Sequence, residues 1–167
     1  MAEAETPSPS EPRLTLLQRR EIEARIVGPI VRAMREELGE ERTIALLHRV
    51  ITELARQAGA EMARAVGEAS LTAFAACLDR WKEGGALEID VREQTPERLS
   101  FNVTRCRYAE MYRALGLADL GPHLSCVRDF ALVEGFNPAI RLTRTQTIME
   151  GAPFCDCRFE AEPPQGG

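Results

Sequence analysis

The chain has 167 residues, of which 44% are apolar and 28% charged, and a net charge of −5. That is ordinary soluble composition with room for a real hydrophobic core, and the acidic balance argues against a nucleic-acid-binding surface. No apolar run approaches membrane-spanning length, and the acidic, Pro/Ser-rich start lacks the apolar stretch of a signal peptide, so the expected location is cytoplasmic and no membrane is expected as a partner.

Residues 1–13 read as a disordered tail, residues 14–159 as a single domain and residues 160–167, with Pro163, Pro164 and two closing glycines, as a second tail. From Leu14 to Leu38 a helical pattern runs through Leu16, Ile22, Ile26, Ile30, Met34 and Leu38. Pro29 is expected to kink or split it, and Gly39 to stop it. A second helix is predicted over Glu40 to Val66, with Leu47, Ile51, Leu54, Ala58 and Met62 as its buried stripe. A third, over Ser70 to Glu83, carries Leu71, Phe74, Leu78 and Trp81. His48, among apolar neighbours on the second helix, reads as a scaffold histidine.

The period then changes. Ala86 to Arg92 and Leu99 to Arg105 alternate like strands, and Glu93 to Arg98, with Pro96, reads as the turn of a hairpin. A short helix over Tyr108 to Leu115 is stopped by Gly116. The next helix runs from Pro122, a good first residue, to Glu134, with Gly135 as its cap. Ile140 to Ile148 and Phe154 to Phe159 read as strands, joined by a turn at residues 150–153. The predicted class is α+β, an N-terminal helical layer packed on a small antiparallel sheet.

Four of the five cysteines fall between Cys106 and Cys157. An odd count without an export signal reads as free thiols rather than a disulfide framework. On the Pro122 helix, His123, Cys126 and Asp129 fall three apart and form one strip. A thiol between an imidazole and a carboxylate is a nucleophile with an acid/base group at hand. The plainer reading makes Cys126 a small buried filler and the other two solvated.

Cys155 and Cys157 alternate on the last strand and should share a face. A zinc site from Cys106, Cys126, Cys155 and His123 has suitable donors, but the Cys-x2-Cys pair typical of such sites is absent. Asn137 either holds a turn through its own side chain or reaches into a pocket. Arg144, on a largely apolar strand, needs an anion, which is either an internal carboxylate or that of a ligand.

These residues resemble the L-2-amino-thiazoline-4-carboxylic acid hydrolase family. The matching positions are Cys106, Ser125-Cys126 with Asp129, Gly135 to Pro138, Arg144 to Thr147 and Gly151 to Cys155. The resemblance is densest from about Val103 to Phe159 and extends more weakly from about Ile22. It implies hydrolysis of a cyclic amidine-like ring to an N-carbamoyl amino acid, on a bacterial route to cysteine. On the spacing above, Cys126 and Asp129 are the expected catalytic residues, and His123, Asn137, Arg144 and Cys155 the expected substrate-binding ones, with Arg144 clamping the substrate carboxylate. The order of elements also resembles the 4-vinyl reductase domain, a small-molecule-binding module found in sensors. Zinc-binding members of that group carry Glu-x-x-Cys-x7-Cys. With Cys155 as the last ligand, Arg144 and Thr147 take the other two positions and are poor zinc ligands, so neither metal nor cofactor is expected. A small molecule is the expected partner, and the amphipathic N-terminal helices leave room for a homodimer through them. A non-catalytic ligand-binding or sensor module is the competing function.

Overall fold

The computed structural model describes residues 13–163. The expected N-terminal tail, apart from Arg13, and the last four residues of the expected C-terminal tail lie outside them.

Helix α1 spans Leu16–Leu38 and opens on a reciprocal cap. The Thr15 hydroxyl accepts from the Gln18 N–H, and the Gln18 side chain accepts from the Thr15 N–H. Pro29 lies inside this helix without splitting it. The proline is on the exposed side, so the carbonyl that loses its partner meets water. Flanking Gly28 and Val31 are buried and hold the segment in place. Gly39 joins α1 to α2, Glu40–Val66, which ends on a left-handed Gly67.

The buried faces of both helices differ from the expected ones. In α1 it is Ala24, Gly28 and Val31 that are buried, while Ile22, Ile26 and Ile30 face outward, Ile26 being 61% exposed. In α2 the buried row is Thr43, Leu47, Ile51, Ala55 and Gly59, and Leu54 is exposed. Small residues let the helices approach closely, and a reading that weights large aliphatics misses that.

The third helix breaks at Leu78 into α3, Leu71–Cys77, and α4, Asp79–Lys82. The break swings Trp81 edge-on to Phe74. Strands β1, Leu87–Gln94, and β2, Arg98–Cys106, form the predicted hairpin, with Thr95 accepting from the Arg98 N–H across the turn. Helix α5, Arg107–Ala114, follows directly, capped by the Cys106 sulfur.

The predicted Pro122 helix has two parts. Pro122–Cys126 is a π-helical turn, and Arg128–Phe136 is the regular α6. Gly135 is not the cap, which is Asn137. A Cβ on Gly135 would sit 2.0 Å from the Arg56 carbonyl oxygen, and one on Gly59 2.0 Å from that of Leu132. These glycines therefore let α2 and α6 touch backbone to backbone.

Strand β3 covers only Ile140–Thr143, not the expected Ile140 to Ile148. The chain leaves the sheet at Arg144, crosses a loop and forms a 3-10 turn at Ile148–Glu150. Strand β4 runs Cys155–Ala161, so Glu160 and Ala161 pair in the sheet rather than beginning a tail. The sheet is antiparallel throughout, in the order β1-β2-β4-β3. The class is α+β.

Two core clusters result. One joins the sheet to α3 and α6 around Phe74, Phe101, Phe136 and Phe159, whose rings stack or meet edge-on. Burying each such ring is worth about 2–3 kcal/mol. The other joins α1, α2, α5 and the π-helical turn around Val31, Tyr112 and Leu120. Leu87, Cys106 and Ile148 pack against both.

Candidate functional site

A cavity of about 110 Å³ opens between the two cores. Helix α1 lends Leu16 and Arg20, the sheet Phe101, Val103 and Leu142, and α6 Arg128, Asp129 and Leu132. The wall is mostly apolar. An apolar cavity of about 150 Å³ holds a benzene ring, and this one is somewhat smaller, which limits any occupant to a single small ring.

Four thiols lie on that wall, three from the sheet and one from the π-helical turn. Cys155 and Cys157 project from the same face of β4, Cys106 closes β2, and Cys126 ends the π-helical turn. All five cysteines are free. Burial raises each of the four. Cys106 is pushed up to about 11 and Cys157 to about 12, Cys155 moves the same way, and Cys126 moves furthest, with the Asp129 charge adding to burial. Cys106 and Cys155 are also held by backbone, accepting from the Ala109 and Ile148 N–H groups at 3.4 and 3.2 Å. Burial thus favours the protonated thiol at each of the four positions.

Asp129 and Arg144 meet at the wall. Arg144 Nη1 donates to Asp129 Oδ2 at 2.5 Å, and its Nη2 donates to the Cys126 carbonyl oxygen at 2.9 Å. The guanidinium lies 5.0 Å above the Phe130 ring. Asp129 keeps 32% of its side-chain surface accessible, yet burial is the dominant influence on it and raises its carboxyl. Asp129 also lines the cavity. Asp129 is thus an internal carboxylate within reach of Arg144, one of the two partners the sequence leaves open for it.

Asp156 shapes the loop that carries Arg144. It accepts from the Thr145 N–H and hydroxyl and from the Gln146 N–H. Gln146 donates to the Phe154 carbonyl at 2.9 Å, and the Thr147 hydroxyl bonds Glu150. The Thr145-Gln146-Thr147 run thus builds the support for Arg144.

Two expected site residues are not in the cavity wall. His123 Nδ1 lies 2.7 Å from His48 Nε2, one ring donating and the other accepting, which ties the π-helical turn to α2. The strip of three therefore divides, with Cys126 and Asp129 on the cavity and His123 on the α2 side. His123 and Cys126 both lie in the π-helical turn, which takes more residues per turn than an α-helix, so a three-residue step falls further short of a full rotation and the two side chains diverge. Asn137 donates to the Ala69 carbonyl at 2.7 Å and accepts from the Ala139 N–H at 2.9 Å, so its side chain holds the turn. Among the described residues, no group of three or more His, Cys, Asp or Glu is arranged to hold a metal ion.

Arg20, Glu23 and Arg128 escaped the sequence reading. Arg20 falls in the row Leu16, Arg20, Ala24, Gly28, at four-residue steps along the buried face of α1. The signal was an arginine in a row of small and apolar residues, masked by the larger isoleucines beside it.

The family model described as L-2-amino-thiazoline-4-carboxylic acid hydrolase matches residues 19–159. No curated protein matches the chain. Among solved structures, the phenol-responsive sensory domain of the transcription activator PoxR, determined with phenol, has 15% identity and a TM-score of 0.53. The match covers 90% of this chain and 78% of that one, and it is a likeness of fold.

Proposed function

This chain belongs to the L-2-amino-thiazoline-4-carboxylic acid hydrolase family, and we propose that it opens a small cyclic amidine-like ring in the cavity beside Asp129. The observation that carries this reading is the Asp129–Arg144 pair facing a ring-sized apolar cavity. A carboxylate raised by burial is a better proton acceptor than an ordinary one, and an arginine that fixes one of its oxygens leaves the other free to work.

In this mechanism Asp129 takes a proton from water, and the oxygen attacks the ring carbon bonded to sulfur and two nitrogens. The carbon–sulfur bond then breaks. A carbonyl forms, one water proton ends on the ring nitrogen, and Asp129 delivers the other to the departing sulfur. The product is an N-carbamoyl amino acid with a free thiol. In the covalent alternative Cys126 attacks instead. That route needs a thiolate, which burial and the Asp129 charge both oppose, so attack by water is the favoured version. Cys126 and Cys155 then serve as wall against the ring.

Ring opening of L-2-amino-thiazoline-4-carboxylate, followed as free thiol, tests this. Asp129→Asn should lose activity by at least about a hundredfold, while Cys126→Ala retains a measurable rate. Loss in Cys126→Ala, with Cys126→Ser equally dead and both variants folded, would overturn the water route in favour of the thiol.

The apolar wall also suits a second reading, a ligand-binding module like the phenol-responsive neighbour. Tight binding of a small ring without turnover would select it. We propose in addition a homodimer through the outward face of α1, where Ile22, Ile26 and Ile30 lie exposed.

A further inference from the structure

The charged groups around the cavity do not balance. Arg144 and Asp129 neutralise one another. On the same wall, Arg20 Nη1 donates to both Glu23 oxygens at 2.9 and 2.7 Å, and Arg128 Nη2 reaches the same carboxylate at 3.4 Å. Arg128 Nε is taken by the Leu124 carbonyl at 2.7 Å. Two guanidinium groups thus share one carboxylate, leaving one positive charge over. Both arginines line the cavity, and each is only 15% accessible. Among the described residues, Arg20 Nη2 and Arg128 Nη1 have no hydrogen-bond partner in the protein.

An under-compensated cation beside an apolar wall is costly, and the fold relieves it elsewhere by pairing. Burial lowers the Arg128 guanidinium, and repulsion from Arg20 is the next cause. The free Arg20 Nη2 and Arg128 Nη1 donors are not sealed from solvent, and together with the surplus charge they offer a place for one more anion. Arginine forks match a carboxylate with two parallel bonds.

We propose that Arg20 and Arg128 form the anion-binding corner of this cavity and select ring-sized ligands carrying one carboxylate, with Glu23 setting the surplus at a single charge. This rests on the cavity being the substrate site, and it moves the carboxylate clamp from Arg144 to the pair on α1 and α6. Arg144, held by Asp129 through Nη1 and by the Cys126 carbonyl through Nη2, positions the acid/base group instead.

The test is direct titration of the full chain with two probes, thiazole-4-carboxylate and the neutral thiazole-4-carboxamide, by calorimetry. The carboxylate should bind about tenfold or more tightly than the amide, with the preference shrinking as salt is raised. Arg20→Gln and Arg128→Gln should each remove most of that preference, weakening carboxylate binding far more than amide binding. Arg20→Lys should keep part of it. Glu23→Gln should tighten carboxylate binding, the opposite of what losing a structural anchor would do. Equal binding of the two probes by the wild type, or binding of neither, overturns the proposal. So does weaker carboxylate binding in Glu23→Gln. Failure of the hydrolase reading looks different: the carboxylate is still selected through Arg20 and Arg128, but no thiol is released from the thiazoline.

Discussion

A buried charge needs a partner, and at the residue scale the cavity is organised by which partners are already taken. Asp129 and Arg144 are fifteen residues apart in sequence and satisfy one another. The i, i+3 strip of Cys126 and Asp129 was legible because it depends only on helix period, and the two do share the cavity. Which anion Arg144 meets was not legible, because it depends on where a loop leaves the sheet. His123 shows the same limit, since its partner His48 comes from a helix 75 residues earlier. That pair carries a pH prediction. Burial, and then the nearness of His48, lower His123 below its ordinary value of 6.5. Arg35 lowers it further, while Glu40 and Glu150 oppose the effect. The folded chain therefore takes up this proton less readily than the unfolded one. Its contribution to stability is full above the ordinary value and is lost as pH falls through the lowered one, at about 1.4 kcal/mol for each unit of separation. Urea unfolding between pH 7.5 and 5 should show the loss in wild type and a flatter profile in His123→Gln. Parallel profiles would remove His123 from the account.

At the scale of elements, the boundaries fixed by local chemistry matched the sequence reading and those fixed by packing did not. Helix α2 covers the predicted Glu40–Val66, since glycines at both ends determine it locally. The hairpin is similar, with its turn set by Thr95 and Pro96. Strand β3 instead ends at Thr143, although Thr-rich alternation continues, because Asp156 pulls Thr145 and Gln146 into a loop. Gly135 looked like a cap because glycine commonly ends helices. Its actual role, against Arg56 on α2, is a contact that no local pattern encodes. That contact gives a second prediction. Overpacking usually costs about 1–3 kcal/mol, and here the obstruction is backbone rather than a flexible side chain. Gly135→Ala should therefore cost about 3 kcal/mol or more in thermal or urea unfolding, and Gly59→Ala a similar amount. Gly67→Ala, with open space around its Cβ, should cost only the strain of its left-handed backbone, about 1 kcal/mol. Equal costs at all three positions would mean that α2 and α6 can move apart freely.

At the scale of the whole molecule, placing the small residues of α1 inward has a consequence for its outer face. Ala24, Gly28 and Val31 bring α1 close to the rest of the fold, which sends Ile22, Ile26 and Ile30 outward at four-residue steps. Scattered exposed aliphatics are normal, but a continuous stripe along one helix is a surface that water disfavours. The Glu21–Arg25 pair beside the stripe is already neutralised within the helix. Two-fold symmetry would set each stripe against itself, the commonest arrangement among soluble oligomers. The cavity lines the opposite side of the same helix through Leu16 and Arg20. A dimer along this stripe would therefore hold in place the helix that supplies the anion-binding corner. Light scattering on the purified chain should give twice the monomer mass at micromolar concentration, and Ile26→Glu should give monomer with an unchanged circular dichroism spectrum. If the cavity depends on this support, Ile26→Glu should also weaken thiazole-4-carboxylate binding, although residue 26 does not line the cavity. A wild type that stays monomeric at all concentrations would refute the interface, leaving the stripe without a partner and the cavity self-sufficient.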